Sequence, residues 1–310
     1  MKKLVIKTIV FIALFIVLDY GIGILFNTLQ KRVSNYPVCN ANAYLKAVNS
    51  IDEDIVIIGE SRASCHFIPS VLEDSLRMTA INAAKHGSSM TQQAAVIRMM
   101  LDRHVPKVLL WEVNPMGLMD TWLDEEFDGM MDLAPFYGVD SLSRSLICKR
   151  SEFEHIKMLS QSYRNNNKLT DYLLILLKGQ YNDPLKGYTR FPATGKHPAK
   201  KVVTYEEDLS LDKLNLLEET LKFIQKKECK VVLVSSPQWG VSNLNETIQA
   251  RAFETLVDSL GIPYLNHRYD ERFKCDSTYY KDAYHLNEKG ATAYMHFFIP
   301  ELKQCLKGTE

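Results

Sequence analysis

The sequence predicts a three-layer α/β/α domain built around a parallel sheet, preceded by a membrane-spanning helix. Short, continuous apolar runs alternate with longer amphipathic segments, and a long apolar run lies near the N-terminus. Continuously apolar strands separated by helices are typical of a parallel sheet that helices cover on both faces. The predicted strands are Ile55–Ile58, Thr79–Ala83, Val108–Val113, Val231–Val234 and Pro263–Leu265.

The segments between these strands have the composition and spacing of helices. Leucines and an isoleucine recur at intervals of three and four between Leu211 and Lys227, which predicts an amphipathic helix. The other predicted helices are Gln92–Arg103, Glu246–Leu260 and Glu288–Leu302. Each lies beside a predicted strand, as the alternating fold requires.

The apolar run from Leu4 to Phe26 is long enough to cross a bilayer, which takes roughly 20 apolar residues. No convincing small-x-small cleavage site follows it, so we interpret residues 1–30 as an uncleaved signal anchor. Lys2, Lys3 and Lys7 favour a cytoplasmic N-terminus, which predicts that the domain lies on the extracytoplasmic side.

Asp19 interrupts the apolar run and has two interpretations. It either reaches the outer membrane interface or marks contact with a partner helix. Residues 31–51 read as a polar stalk, and the catalytic domain is expected at 52–310.

Residues 116–205 break the strand and helix alternation and are too long for a plain loop, so we interpret them as a lid-like insertion. Within it, Lys168–Lys178 is predicted as a helix, and Tyr188–Pro192 as a loop that contacts substrate. The alternative is a surface excursion with its own small core.

Composition excludes several classes of function. The 310 residues are 46% hydrophobic and carry 37 basic and 37 acidic side chains, so no net positive field would attract nucleic acid. The six cysteines form no C-x-x-C pair, so neither a zinc site nor a redox motif is indicated, and their pairing is left open. We predict no metal and no cofactor.

Residues with hydrolytic chemistry follow the predicted strands, at the edge where ligands bind in open α/β sheets. Ser61 follows the first strand, the block Asn82–Gly87 follows the second, and Asn114 ends the third. Asp282 and His285 follow the last strand, with the carboxylate three residues before the imidazole. Acyl transfer needs a nucleophile, an oriented base and donors for an oxyanion, and this set contains each of them.

In this order, the serine, glycine, asparagine and histidine blocks resemble the SGNH, or GDSL-like, hydrolase superfamily over roughly residues 52–302. The resemblance implies a flavodoxin-like fold, with Ser61 as nucleophile, His285 as base and Asp282 as triad acid. It also implies an oxyanion hole formed by Ser61, Gly87 and Asn114.

The sequence departs from the family pattern at Glu60, Ala84 and Pro115. The anchor and the insertion most resemble envelope-anchored members that acylate or deacylate surface polymers. We therefore expect a serine esterase or O-acyltransferase that acts on acyl esters, chiefly acetyl esters, of an envelope polysaccharide or lipid.

Each motif also has a structural interpretation. Ser61 could be a helix cap, the Asp282–His285 turn could lie on the surface, and Asn114 before a proline is ordinary turn chemistry. We expect Arg62 to pair with Glu60 or Glu112.

We expect His66 and His86 to be polar surface residues. Two alternative functions remain: a catalytically silent SGNH-like glycan-binding or scaffold protein, and a subunit of a membrane complex that contacts its partner through Asp19.

Overall fold

A computed structural model describes residues 1–120, 124–166, 168–177, 185–194, 198–205 and 208–307. The strands are β1 Ile55–Ile58, β2 Ala80–Asn82, β3 Val108–Glu112, β4 Val202–Val203, β5 Lys230–Ser235, β6 Val241–Ser242 and β7 Tyr264–Asn266. Five of them form one parallel sheet in the order β2-β1-β3-β5-β7. This is the doubly wound order of flavodoxin-like folds, and it confirms the predicted fold class.

The α-helices are α1 Lys2–Ser34, α2 Ala43–Asn49, α3 Ser61–His66, α4 Pro69–Leu76, α5 Met90–Arg103, α6 Asp124–Gly129, α7 Ser141–Cys148, α8 Glu154–Lys157, α9 Gln161–Asn165, α10 Leu169–Leu177, α11 Leu211–Lys226, α12 Ile248–Ser259, α13 Glu271–Lys274 and α14 Glu288–Lys307. Short 3-10 turns span Pro115–Leu118, Met130–Phe136, Leu244–Glu246 and Ser277–Tyr279. Each predicted strand and long helix is present, with ends shifted by a few residues. The short helices α2, α3 and α4 escaped prediction.

The sheet separates two hydrophobic cores. Val56 and Ile58 point into the core shared with α2, α5, α11 and α12, whereas Ile55 and Ile57 point into the core shared with α3, α4 and α14. All four β1 side chains are fully buried. Each contributes about 1.5–3 kcal/mol by leaving water, which explains why this strand is apolar at every position rather than at alternate ones.

Helix α1 is long and apolar enough to cross a membrane, with a mean hydropathy of 2.6 over its most apolar window. Its side chains from Leu4 to Leu18 are exposed. Only its C-terminal part packs against the domain, through Gly23, Phe26 and Val33 among others. The helix is therefore continuous from the candidate span into the domain.

Residues 31–51 pack against the domain, which differs from the polar stalk that the sequence suggests. Val33, Val38 and Ile51 are buried, and so is most of α2. Asn42 is also buried and donates to the carbonyls of Val33 and Pro37. The reason is that α2 presents an apolar face to α5, which composition alone does not reveal.

The insertion 116–205 divides into two parts with different neighbours. Its helical part, α6 to α10, adds buried residues such as Leu146 and Tyr172 to the core beside α1. Its later part reaches the carboxyl end of the sheet around Thr189. Helix α10 corresponds to the predicted helix 168–178, of which Lys178 lies outside the described residues.

Candidate active site

Ser61 stands at the carboxyl end of β1, where the chain turns directly into α3. Gly59 allows this turn, since a Cβ there would lie 2.6 Å from Ala63 Cβ and 2.9 Å from Glu112 Cβ. Ser61 is the first residue of α3, so its amide belongs to the first helical turn, whose N–H groups have no partner within the helix. The tight turn thus exposes both a hydroxyl and an amide at the crevice.

The structure brings Ser61, His285 and Asp282 into one line. His285 Nε2 lies 2.7 Å from Ser61 Oγ, although 224 residues separate them in the chain. On the other side of the ring, His285 Nδ1 lies 2.9 Å from each carboxylate oxygen of Asp282. The backbone amides of Tyr284 and His285 also donate to Asp282 Oδ1, at 2.9 and 3.0 Å. The spacing of three residues therefore produces a turn that holds acid and base together.

The charge of Asp282 fixes the tautomer of His285. Partial burial raises the pKa of Asp282, but hydrogen bonds from His285 and the backbone lower it more, to about 2. An ionised carboxylate only accepts, so Nδ1 carries the proton and Nε2 presents its lone pair to Ser61. This is the arrangement in which a histidine can remove the serine proton.

Gly87 and Asn114 border the crevice on the side of the sheet where β2 and β3 end. Gly87 has φ of +71°, which favours glycine, and a Cβ there would meet no atom within 4 Å, so backbone conformation selects the glycine. Asn114 Oδ1 accepts from the amide of Met116 at 3.3 Å, which orients the side chain. Its Nδ2 group has no acceptor among the described residues, so both residues can offer donors to an incoming oxyanion.

A cleft of about 550 Å³ extends from Gly87 and Asn114 away from the serine. Its lining combines methionines with acidic side chains: Met90, Met116, Met119, Glu60, Glu126 and Asp128. Neither Ser61 nor His285 lines it. The cleft therefore adjoins the oxyanion side of the site and offers room for a substrate group beyond the reacting atoms.

A buried polar chain supports the site from below. Arg62 is 5% exposed and contacts Glu112 at 3.0 Å and Glu60 at 3.4 Å, so it pairs with both acids that the sequence suggested. Glu112 Oε1 also accepts from Ser236 Oγ at 3.2 Å. Burial raises the pKa of Glu112 to about 7, although Arg62 lowers it. These contacts join the ends of β3 and β5 to α3.

His66 continues this chain to the base loop, and its predicted place on the surface is wrong. Its side chain is fully buried, with Nδ1 lying 2.8 Å from Ser236 Oγ. Its Nε2 accepts from the backbone amide of Leu286, the residue after His285, at 2.9 Å. Burial, with help from Arg62, holds the pKa of His66 well below 6.5, so the ring stays neutral and can accept. The small and apolar neighbours Ala63, Cys65 and Phe67 were the one local signal of burial.

A segment of the insertion, residues 188–192, crosses the site, and we call it the strap. Thr189 N donates to Ser64 O and Glu288 N donates to Phe191 O, both at 2.7 Å. The ring of Phe191 packs edge-on against His285, with centroids 6.0 Å apart. The strap thus shields one face of the imidazole, in line with the prediction that this loop lies where substrate binds.

His86 is half-buried beneath the strap rather than on the open surface. Its Nε2 lies 2.6 Å from Ser64 Oγ and 3.4 Å from Thr189 Oγ1. It has no carboxylate partner at hydrogen-bond distance in the described chain, so it is not a second base of the Asp282–His285 kind.

Cysteine and metal chemistry find no support in the described residues. All six cysteines, each of which falls within the described ranges, are free thiols. Burial raises the pKa of Cys65, the cysteine nearest the serine in sequence, to about 11, so it stays protonated. No group of three or more His, Cys, Asp or Glu side chains that could hold a metal ion occurs in the described part of the chain.

A scan against protein-family models and a search of curated proteins both found no match for this chain. Function is therefore inferred from the chemistry and geometry of the site.

Proposed function

We propose that this chain is an SGNH-type serine esterase or O-acyltransferase. The observation that carries the proposal is the hydrogen bond of 2.7 Å between Ser61 Oγ and His285 Nε2, with Asp282 on the far side of the ring. Three segments far apart in sequence meet at the carboxyl edge of the sheet to make this line. A helix cap or a surface turn would not require such a meeting.

In the proposed reaction, His285 Nε2 removes the proton of Ser61 as Oγ attacks an ester carbonyl. Asp282 keeps the imidazole in the reactive tautomer and stabilises the imidazolium that forms. Collapse of the tetrahedral intermediate expels the alcohol, which takes the proton from His285, and leaves an acyl group on Ser61. Water or a second hydroxyl then attacks the acyl-enzyme, with His285 acting again as base.

The oxyanion is proposed to lie between the amides of Ser61 and Gly87 and the Nδ2 group of Asn114. The donors are fixed before substrate arrives, because α3 orients the first and the bond to Met116 orients the last. Donors that need no rearrangement stabilise the developing charge most effectively.

For the substrate, we propose an acyl ester, chiefly an acetyl ester, of an envelope polysaccharide or lipid. The cleft beside Asn114 combines apolar methionines with the acidic groups Glu60, Glu126 and Asp128. Carboxylates suit hydroxyl-rich or cationic groups better than anionic ones. The apolar helix α1 supports a membrane location, and Lys2, Lys3 and Lys7 favour the extracytoplasmic side for the domain.

The scaffold alternative keeps the fold without chemistry, and it expects the serine and histidine side chains to lie apart. Their contact at 2.7 Å favours the enzyme. The alternative in which Asp19 binds a partner helix is weakened, because Asp19 accepts hydrogen bonds from Ser160 and Ser162 of the same chain.

Covalent labelling with a fluorophosphonate probe tests the proposal. We expect the wild-type chain to be labelled at Ser61 and the Ser61→Ala variant to remain unlabelled. Ser64→Ala is the matched control, because Ser64 lies in the same helix but is only 1% exposed, so labelling should persist.

Absence of labelling in the wild type, together with no cleavage of short acyl esters, would favour the scaffold. If labelling succeeds, product analysis with water and with a sugar hydroxyl separates hydrolysis from transfer.

A further inference from the structure

The helical part of the insertion carries an unusual number of exposed apolar side chains. Outside residues 116–205, the large exposed apolar residues of the described domain are scattered singly at Val105, Leu211 and Ile248. Within the insertion they lie close together in sequence: Val139, Phe153, Ile156, Leu159, Leu169, Leu173, Leu174 and Leu177. Such clustering on a protein surface marks a contact face.

Helix α10 shows the pattern most clearly, because it is apolar on both sides. Tyr172, Ile175 and Leu176 face the core beside α1. The opposite side presents Leu173, Leu174 and Leu177, which are 43%, 46% and 80% exposed. A helix that meets water on one side normally has a polar face there.

The same helices pack directly on α1, which fixes their depth relative to the candidate span. The ring of Tyr172 lies 6.2 Å from that of Phe26, and Gln30 donates to Asn165 at 2.8 Å. Asp19 accepts from the amides of Gln161 and Ser162 at the start of α9, at 2.7 and 2.9 Å.

Leu159, which is 72% exposed and directly precedes Ser160, therefore lies at the level of Asp19.

The length of the span places that level at the outer membrane boundary. The exposed apolar part of α1 from Leu4 to Leu18 is about 22 Å long at 1.5 Å per residue. A hydrocarbon core of ~30 Å needs about five residues more, which brings its edge to about residue 23. The exposed Tyr20 is an aromatic residue of the kind enriched at such boundaries.

We propose that the exposed apolar face of α8 and α10, with Leu159 between them, lies in the outer headgroup and acyl boundary of the membrane that α1 spans. The occupant of this face is lipid, because the face is continuous with the span through Asp19 and Phe26. The chain then rests on the membrane through two elements instead of one tether. This arrangement fixes the tilt of the domain and hence the height of its active site above the bilayer.

Tryptophan quenching by brominated lipid in the full-length chain tests this arrangement. Leu174→Trp is compared with Phe15→Trp, which lies in the span, and Ile248→Trp, which is exposed at the start of α12. Each variant is reconstituted into dioleoylphosphatidylcholine vesicles with and without bromine on the acyl chains. Unchanged far-ultraviolet circular dichroism verifies that each variant folds.

We expect the added emission of Leu174→Trp to fall by about half in brominated vesicles, because a helix at the boundary inserts by only ~5–10 Å. Quenching of Phe15→Trp should be stronger, and Ile248→Trp should be unaffected. Leu174→Trp emission that matches Ile248→Trp would overturn the proposal, and cross-linking between copies at this face would then identify a second chain as the occupant. The readout does not depend on Ser61, so its failure is distinct from failure of the proposed enzyme.

Discussion

Strand β1 and helix α10 are almost equally apolar, yet they meet different surroundings. All four residues of Ile55–Ile58 are fully buried, whereas three leucines on the outer side of α10 are 43% exposed or more. The strand has a helical layer on each side of the sheet, so both of its faces find protein. Helix α10 has protein on one side only. An apolar sequence therefore demands removal from water without specifying whether protein or lipid provides it.

The two regions treat buried charge in the same way. In the crevice, Glu112 is paired with Arg62 and with Ser236. In the anchor region, Asp19 accepts four hydrogen bonds from residues 160–162. Each carboxylate is retained because specific donors compensate for lost hydration. The comparison indicates that the crevice and the anchor region are built separately and should respond separately to mutation.

The largest expected effect separates the two regions completely. Asp282→Asn should lower kcat by about 10⁴-fold, because an amide that donates to Nδ1 stabilises the wrong tautomer of His285. Vesicle insertion of the span, measured by quenching of the Phe15→Trp variant, should not change. A variant with near-normal turnover of short acyl esters would contradict the assigned role of Asp282.

Removing an oxyanion donor should have the next largest effect. Asn114→Ala and Asn114→Asp should each lower kcat by about 10²–10³-fold, because both lack the Nδ2 donor. Asn114→Asp is the matched control for folding, since its carboxylate still accepts from Met116 N. Equal thermal stability of Asn114→Asp and wild type, together with the loss of turnover, would assign the effect to catalysis.

A smaller effect is expected at His66, which positions the base loop without touching substrate. His66→Asn should lose the acceptor for Leu286 N and reduce kcat by roughly 10–100-fold with little change in KM. His66→Gln should recover most of the activity, because its amide oxygen can reach the place of Nε2. A purely structural role predicts equal loss in both variants.

His66 also predicts a dependence of stability on pH. The folded state holds this ring neutral, whereas the unfolded chain binds a proton below about pH 6.5. Stability should therefore fall as pH drops below 6.5, and His66→Gln should flatten that part of the curve. Denaturant unfolding measured from pH 7 to pH 5 tests the difference between the two chains.

The smallest effect on turnover is expected at Asp19. Asp19→Ala removes the acceptor for the start of α9, so amide exchange over residues 161–165 should become faster, equivalent to about 1–3 kcal/mol of local stability. Asp19→Asn keeps one acceptor oxygen and should loosen α9 less. Activity on a soluble ester should stay within about twofold of wild type. A large loss of activity without faster exchange would restore the partner-helix interpretation.

Much of the fold was predictable because its signals are local. The apolar run Ile55–Ile58 and the periodicity of Leu211–Lys227 each depend on neighbours in sequence, and both elements appear where expected. The same holds for Asp282 and His285, whose spacing forms the turn by itself. The burial of residues 31–51 and of His66 depends on contacts with segments far away in the chain, which no local pattern encodes.

The sequence by itself determined the alternating elements, the apolar helix α1 and the residue types available at each strand end, because backbone geometry and burial impose short-range periodicity. Only the tertiary structure decided which of those groups meet. The parallel crossovers bring Ser61 to His285, carry the strap over the imidazole and connect Leu286 to Glu112 through His66 and Ser236. Hydrogen bonds have strict distances and angles, so their partners are fixed only once strand order and register are fixed.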